Sequence, residues 1–302
     1  MITGIDAVVF GADDFEAGRK FLRDWGLNEA ENAPDELRFL TRDRSEVIVR
    51  KSDSALLPPT AGQAPTLREI IWGLENEAAL KALESRLDRD GARDSEGCLA
   101  IRDVDGFTHT FRVTRRTPVA AAGQDSNGPG LHQRVDRRSH VYREAKPIGI
   151  GHVVLWSGDF ERAAKFYMED LGFVESDRIK GFGVFLRAST PGPHHNIFLL
   201  NRPEKPGVDH VAFTVDNYLE VLGGGLAMER KGWSTRFGPG FHPVSSAFFW
   251  YLNSPLGAQL EYYADDDYCT EAWQPKEFQF SPELYTDWAV TGFHKQVGGG
   301  HH

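Results

Sequence analysis

Hydrophobic and polar positions repeat along this chain at two scales. Residues 4–16 read GIDAVVFGADDFE and residues 149–161 read GIGHVVLWSGDFE, agreeing in step at Gly, Ile, Val, Val, Asp, Phe and Glu. Each stretch predicts a short apolar strand, an Asp at a helix N-cap and then an amphipathic helix. Those helices are DFEAGRKFLRDWGL and DFERAAKFYMEDLGF, with apolar residues three and four apart and a Gly near the end. The second part of each copy repeats as well: LREIIWGLEN (67–76) answers to VDHVAFTVDN (208–217), and IRDVDGFTHTFRV (101–113) to WYLNSPLGAQLEYY (250–263). A fainter echo, IGHVVL (150–155) against VDHVAF (208–213), lies inside the second copy. The pattern predicts an α+β chain of four strand-helix-strand-strand-strand (βαβββ) units, paired into two similar domains.

The expected boundaries are residues 1–115, a linker or ordered crossover over 116–147, and residues 148–302. The connector opens with small, polar, Gly/Pro-rich sequence, and its basic run RVDRRSHVYR reads as a solvated segment. Composition narrows the function classes. The chain has 302 residues, 40% hydrophobic and 26% charged, with a formal net charge of −10. That balance argues against nucleic acid or an anionic membrane as a main partner. No apolar run approaches the ~18 residues of a membrane span, and the N-terminus has no basic segment ahead of a long apolar one. Cys98 and Cys269 cannot make a disulfide framework, so a reducing cytoplasm is the expected location. GGGLAMER (223–230) lacks the continuation of a phosphate loop, and the terminal GGGHH stands outside any site argument.

Candidate chemistry sits in the second copy, which holds His152, His194, His195, His210 and His242. Strand alternation puts Val208, His210, Ala212 and Thr214 on one face, with Asp209, Val211, Phe213 and Val215 on the other. His152 shares a face with Ile150 and Val154, and Glu261 with Gln259 and Tyr263. A lone strand His is most often a hydrogen-bonded core residue. Here His152 and His210 hold matching positions of sister units, so pseudo-two-fold pairing brings them together. With Glu261 they make a 2-His-1-carboxylate set, which leaves positions open on Fe(II). The first copy is an internal control: its matching residues are Ala7, Glu69 and Thr110, so the fold itself does not require the set.

At these residues the chain resembles the two-domain type I extradiol ring-cleavage dioxygenases of the vicinal oxygen chelate superfamily. The signature reads Gly240-Phe241-His242, then PVSSAFF, Trp250, Tyr251, LNS, Pro255, Leu256, Gly257, AQL and Glu261. Trp250 and Ser254 depart mildly from the family's usual residues, with the pocket as the place where that would tell. The resemblance implies an open barrel-like mixed sheet in each domain with helices outside. It implies His152, His210 and Glu261 as ligands of Fe(II), with Mn(II) the alternative, and His195, His242 and Tyr251 as catalytic groups around the substrate. His194, next to His195, is expected by alternation to face away. The implied substrates are a small aromatic diol and O2, in a pocket expected from Phe185, Phe248 and Trp250, and the implied assembly is a homo-oligomer. The aromatic tail from Asp265 is read either as a lid over the barrel mouth or as packing on its own domain. Two other functions fit the pattern less fully: a non-redox metal-dependent isomerase, lyase or hydrolase of the same superfamily, and a metal-free protein that binds small aromatics.

Overall fold

Aspartates start the first helix of each half. In the computed structural model, Asp14 Oδ1 accepts from the Ala17 amide at 2.9 Å and Asp159 Oδ1 from the Arg162 amide at 3.1 Å. Asn76 and Asn217 cap the later helices in the same way. The structure describes residues 1–30, 33–62, 66–88, 93–120, 127–203 and 205–291, so the GGGHH run and part of the connector lie outside the described residues.

The first half contains β1 (Ile2–Ala12), α1 (Phe15–Asp24), β2 (Glu36–Leu40), β3 (Glu46–Lys51), β4 (Thr66–Leu74), α2 (Glu77–Arg86), β5 (Leu99–Arg102) and β6 (Thr108–Val113). The second contains β7 (Gly149–Ser157), α3 (Phe160–Lys165), β8 (Val174–Ile179), β9 (Gly183–Arg187), β10 (Ile197–Asn201), β11 (Gly207–Thr214), α4 (Tyr218–Arg230), β12 (Thr235–His242), β13 (Ala247–Asn253) and β14 (Gln259–Ala264). A wider, π-helical turn at Phe166–Asp170 continues α3, where the sequence predicts ordinary helix.

Strand order in the second sheet is β8-β9-β10-β7-β11-β14-β13-β12. The leading strands of the two units, β7 and β11, pair antiparallel at the centre, and each runs parallel to the last strand of its own unit. The first sheet repeats this plan as β2-β3-β1-β4-β6-β5. Neither sheet closes. Within the two main sheets, three units carry three strands after the helix, counting the two-residue strand Asn28–Glu29. The second unit carries two among the described residues, because Asp94 turns the chain directly into β5 by accepting from the Glu96 and Cys98 amides.

Each central pair is bulged beside the position that matters. In β7 the register steps from Ile150 to His152, leaving Gly151 unpaired, and in β11 it steps from His210 to Val208, leaving Asp209 unpaired. The first sheet has the same steps at Asp6 and Arg68, just before Ala7 and Glu69. A bulge puts two residues opposite one and re-aims the side chains on either side of it. Gly151 is required here, since a Cβ would collide with the Tyr263 side chain.

The two halves share one apolar core. Trp25 stacks on Tyr262 at 3.6 Å between ring centres, and the Tyr262 hydroxyl donates to the Trp25 carbonyl at 2.8 Å. Tyr167 reaches from the second half to His109 Nε2 at 3.1 Å, inside a buried cluster with Asp103 and Trp72. The run of glycines in GGGLAMER is the packing face of α4: a Cβ on Gly225 would enter the ring of Trp250. Alanine gains about 1 kcal/mol in a free helix, but overpacking of about 1–3 kcal/mol reverses the sign at such a position. Both cysteines are buried and free. No helix among the described residues is long and apolar enough to cross a membrane.

Candidate metal centre

β7, β11 and β14 lie side by side, and their register places His152 against Ala212 and Ala212 against Glu261. His152 Nε2 and His210 Nε2 are 3.4 Å apart, and Glu261 Oε2 lies 3.2 Å from the first and 3.1 Å from the second. All three residues are buried, and Glu261 Oε2 receives no aligned hydrogen bond. A six-coordinate divalent ion bound at about 2.1–2.2 Å holds neighbouring donors roughly 3.0–3.1 Å apart. The near-equilateral triangle therefore fits one face of such an ion's coordination shell, and the donor set suits Fe(II) or Mn(II).

Electrostatics mark the same spot. Burial opposes charge on His210, yet the carboxylates of Glu261 and Asp209 outweigh it and raise the imidazole to about 9. Burial would likewise raise Glu261, but His210 and His152 hold its carboxyl well below the usual range. Three converging lone pairs favour a positive charge at their centre.

Asp209 orients the cluster, and the sequence reading placed it on the opposite face. The bulge in β11 turns its Oδ1 to His210 Nδ1 at 2.7 Å, while Trp156 Nε1 donates to Oδ2 at 3.0 Å. His210 Nδ1 then carries the hydrogen and Nε2 presents its lone pair to the triangle. A strand residue directly before a ligand is the only signal the sequence offered.

A cavity of about 30 Å³ adjoins the triangle, lined by His152, His195, His210, His242, Tyr251 and Glu261 together with Phe185, Phe198 and Tyr285. The six residues singled out in the sequence thus meet around one space. His242 Nδ1 donates to the Tyr285 carbonyl at 2.6 Å, which leaves Nε2 to accept from the Tyr251 hydroxyl at 3.0 Å. Burial lowers His242 to about 4, pushes His195 well below its ordinary value and raises the Tyr251 phenol. His195 sits with its ring centre 4.1 Å from that of His152 and 5.1 Å from that of Phe185, which stacks on Phe198.

Phe248 and Trp250 do not line this space. Alternation along β13 sends Tyr251 to the site and Phe249 onto the ring of His242, and turns Phe248 and Trp250 to the helix side, against Tyr218 and Gly225. Ser254 shapes a turn, donating to the Ala258 carbonyl at 2.6 Å, away from the cavity.

The tail does more than pack. Glu277–Phe278 adds a strand beside β8 at one edge of the sheet, and Trp288–Ala289 adds one beside β12 at the other. Between them a short helix, Pro282–Tyr285, brings Tyr285 over the opening. Beyond Tyr251 and Tyr285 lies a larger cavity of about 540 Å³, lined by Trp156, Phe182, Phe237 and Phe280 with Arg202 and Arg236 at its polar side.

Residues 149–262 match the Glyoxalase/Bleomycin resistance protein/Dioxygenase superfamily. Metapyrocatechase 2 of Cupriavidus necator is 33% identical over 210 residues, which span 68% of this chain and 65% of that protein. An iron-dependent extradiol dioxygenase of Rhodococcus jostii (strain RHA1) is 25% identical over 272 residues, 83% of this chain and 85% of the relative. The fold is shared with the Mn(II)-bound glyoxalase from Novosphingobium aromaticivorans, with a TM-score of 0.79 and 23% identity over 99% of this chain and 95% of the other. The matched span holds the whole triangle and its surroundings, and the paired strand-helix units extend the same architecture to the first half. The chain thus carries, over residues 149–262, a domain of the glyoxalase/bleomycin resistance protein/dioxygenase superfamily.

Proposed function

We propose that this protein is an extradiol dioxygenase, an oxidoreductase that opens a catechol ring beside the diol and places both atoms of O2 in a muconic semialdehyde-type acid. The observation that carries the reading is the triangle of His152, His210 and Glu261 with His195, His242 and Tyr251 around the same small cavity. The relationship to metapyrocatechase 2 and to an iron-dependent extradiol dioxygenase supports it. Fe(II) is the proposed ion, and Mn(II) suits the same donors.

When bound, the ion supplies Lewis acidity toward the diol and open positions that bring the two substrates together. The protein does the rest. Tyr251 commits its own hydrogen to His242, so its oxygen is free to accept from a ring hydroxyl and fix the ring's orientation. His195 takes a hydroxyl proton at Nε2 and returns it when the ring opens, assistance typically worth about 10²–10⁴-fold. Phe185 and Phe198 keep water from the reacting atoms. A ring enters from the larger cavity past Tyr251 and Tyr285, and a substituent stays there among Trp156, Phe182, Phe237 and Phe280.

The test is anaerobic loading with Fe(II), and separately with Mn(II), followed by catechol and 2,3-dihydroxybiphenyl in air. Oxygen uptake with a yellow product is the expected result. Tight metal binding with no oxygen uptake across a broad diol panel would move the assignment to a non-redox reaction of the superfamily. Removing the carboxylate that holds His210 gives a subtler outcome: Asp209→Ala should weaken metal affinity about 10–100-fold, read by competition with a chelator. Unaltered affinity would show that the Asp209–His210 contact does not tune the ligand.

A further inference from the structure

The cluster behind His195 is not used by the reaction as described so far. His194 and His195 are neighbours in sequence, yet their Nδ1 atoms face each other at 3.2 Å and both residues are buried. On its far side, His194 Nε2 lies 3.0 Å from Asp177 Oδ2. Asp177 stands in β8, also buried; its other oxygen accepts from the Lys276 amide at 2.7 Å, and it has no lysine or arginine ion-pair partner among the described residues. The three side chains form a line from the interior to the cavity wall.

We propose that Asp177 and His194 are positioning residues that set the tautomer of His195 and hold the positive charge when His195 passes a proton inward, a role that rests on the extradiol reading above. Hydrogen-bond geometry dictates the resting state. An ionised carboxylate only accepts, so His194 must carry its hydrogen on Nε2. A neutral His194 then offers a lone pair at Nδ1, and His195 must donate from its own Nδ1. That leaves Nε2 of His195, the nitrogen available to the cavity, as a base.

The proton movement balances. As a substrate hydroxyl gives its proton to His195 Nε2, the N–H bond at His195 Nδ1 breaks and one forms at His194 Nδ1. The charge comes to rest on His194 beside Asp177, away from the cation that the triangle would hold. The reverse shift returns the proton to the product. A charge left on His195, 4.1 Å between ring centres from His152, would be opposed by the bound cation.

The arrangement makes a prediction that needs neither turnover nor metal. Long-range nitrogen–proton NMR on the metal-free protein should show His195 protonated at Nδ1 and His194 at Nε2. Asp177→Asn places an amide donor opposite His194 Nε2, so both tautomers should invert, leaving His195 with its hydrogen on Nε2. In the Fe(II)-loaded enzyme, Asp177→Asn and His194→Gln should lower kcat about 10–100-fold, with metal content and the KM for the diol retained. His194→Gln keeps a donor and an acceptor but cannot take the charge, so it serves if a bulkier replacement fails to fold. A wild-type His195 protonated at Nε2, tautomers that do not respond to Asp177→Asn, or losses confined to KM or metal content would overturn the proposal. An inactive wild-type enzyme with the expected tautomers would instead overturn the dioxygenase reading and leave the positioning intact.

Discussion

Glu261→Gln should leave a folded protein that no longer keeps an ion and has lost about 10³-fold or more of the proposed ring-cleaving activity. The replacement is nearly isosteric, and the strand pairing of Glu261 with Tyr251 and Ala212 is made by backbone, so β14 keeps its place. The negative charge is what disappears. Glu261 Oε2 is the one anionic atom of the triangle, 3.1 and 3.2 Å from two imidazole nitrogens. With only neutral donors, a divalent ion loses the charge that offsets its desolvation, and several kcal/mol of Lewis-acid assistance go with it. Metal per chain after loading and gel filtration, steady-state oxygen uptake and a melting curve read the three consequences separately. A variant that retains one tightly held ion per chain would remove the triangle from the mechanism.

His195→Phe should separate binding from turnover. Phenylalanine fills the same space against Phe185 and Phe198, so the cavity wall stays closed and the triangle is untouched. The ion should still load and a diol should still bind under anaerobic conditions, seen as a retained absorption change. Turnover should fall about 10²–10⁴-fold, because outside the triangle no other side chain lining the cavity offers a free nitrogen to take the hydroxyl proton. His242 is committed through both nitrogens, to Tyr285 and Tyr251. An unchanged rate would refute the role given to His195.

Much of this architecture was legible in the sequence because repetition made it so. The matched runs at Gly4 and Gly149 mark the strand-helix units, and the pairing of equivalent strands brings His152 near His210 on the sequence pattern alone. What strict alternation describes poorly was hidden. Asp209 and Gly151 lie at bulges, where one extra residue breaks the two-residue period, and nothing in the one-dimensional pattern says where pairing will slip. Alternation sends His194 away from His195, but the chain there leaves regular pairing between Pro193 and Ile197, so the two rings meet edge to edge. The misplacement of Trp250 and Phe248 came from the opposite error, reading aromatics by composition where alternation does hold. The tail's attachment to both sheet edges rests on two-residue strands, too short to leave any periodic signal.

The matched slips at Asp6 and Arg68 carry a consequence of their own. At the equivalent place in the first sheet, Thr110 donates to Glu69, and Ala7, Ile48, Leu57 and Ile71 fill the space with hydrocarbon. The same backbone frame therefore stands without any ion, which means the catalytic sheet does not owe its shape to one. On the proposed function, an ion that is lost should accordingly be replaceable in a chain that keeps its fold, an exchange of one atom and a matter of repair.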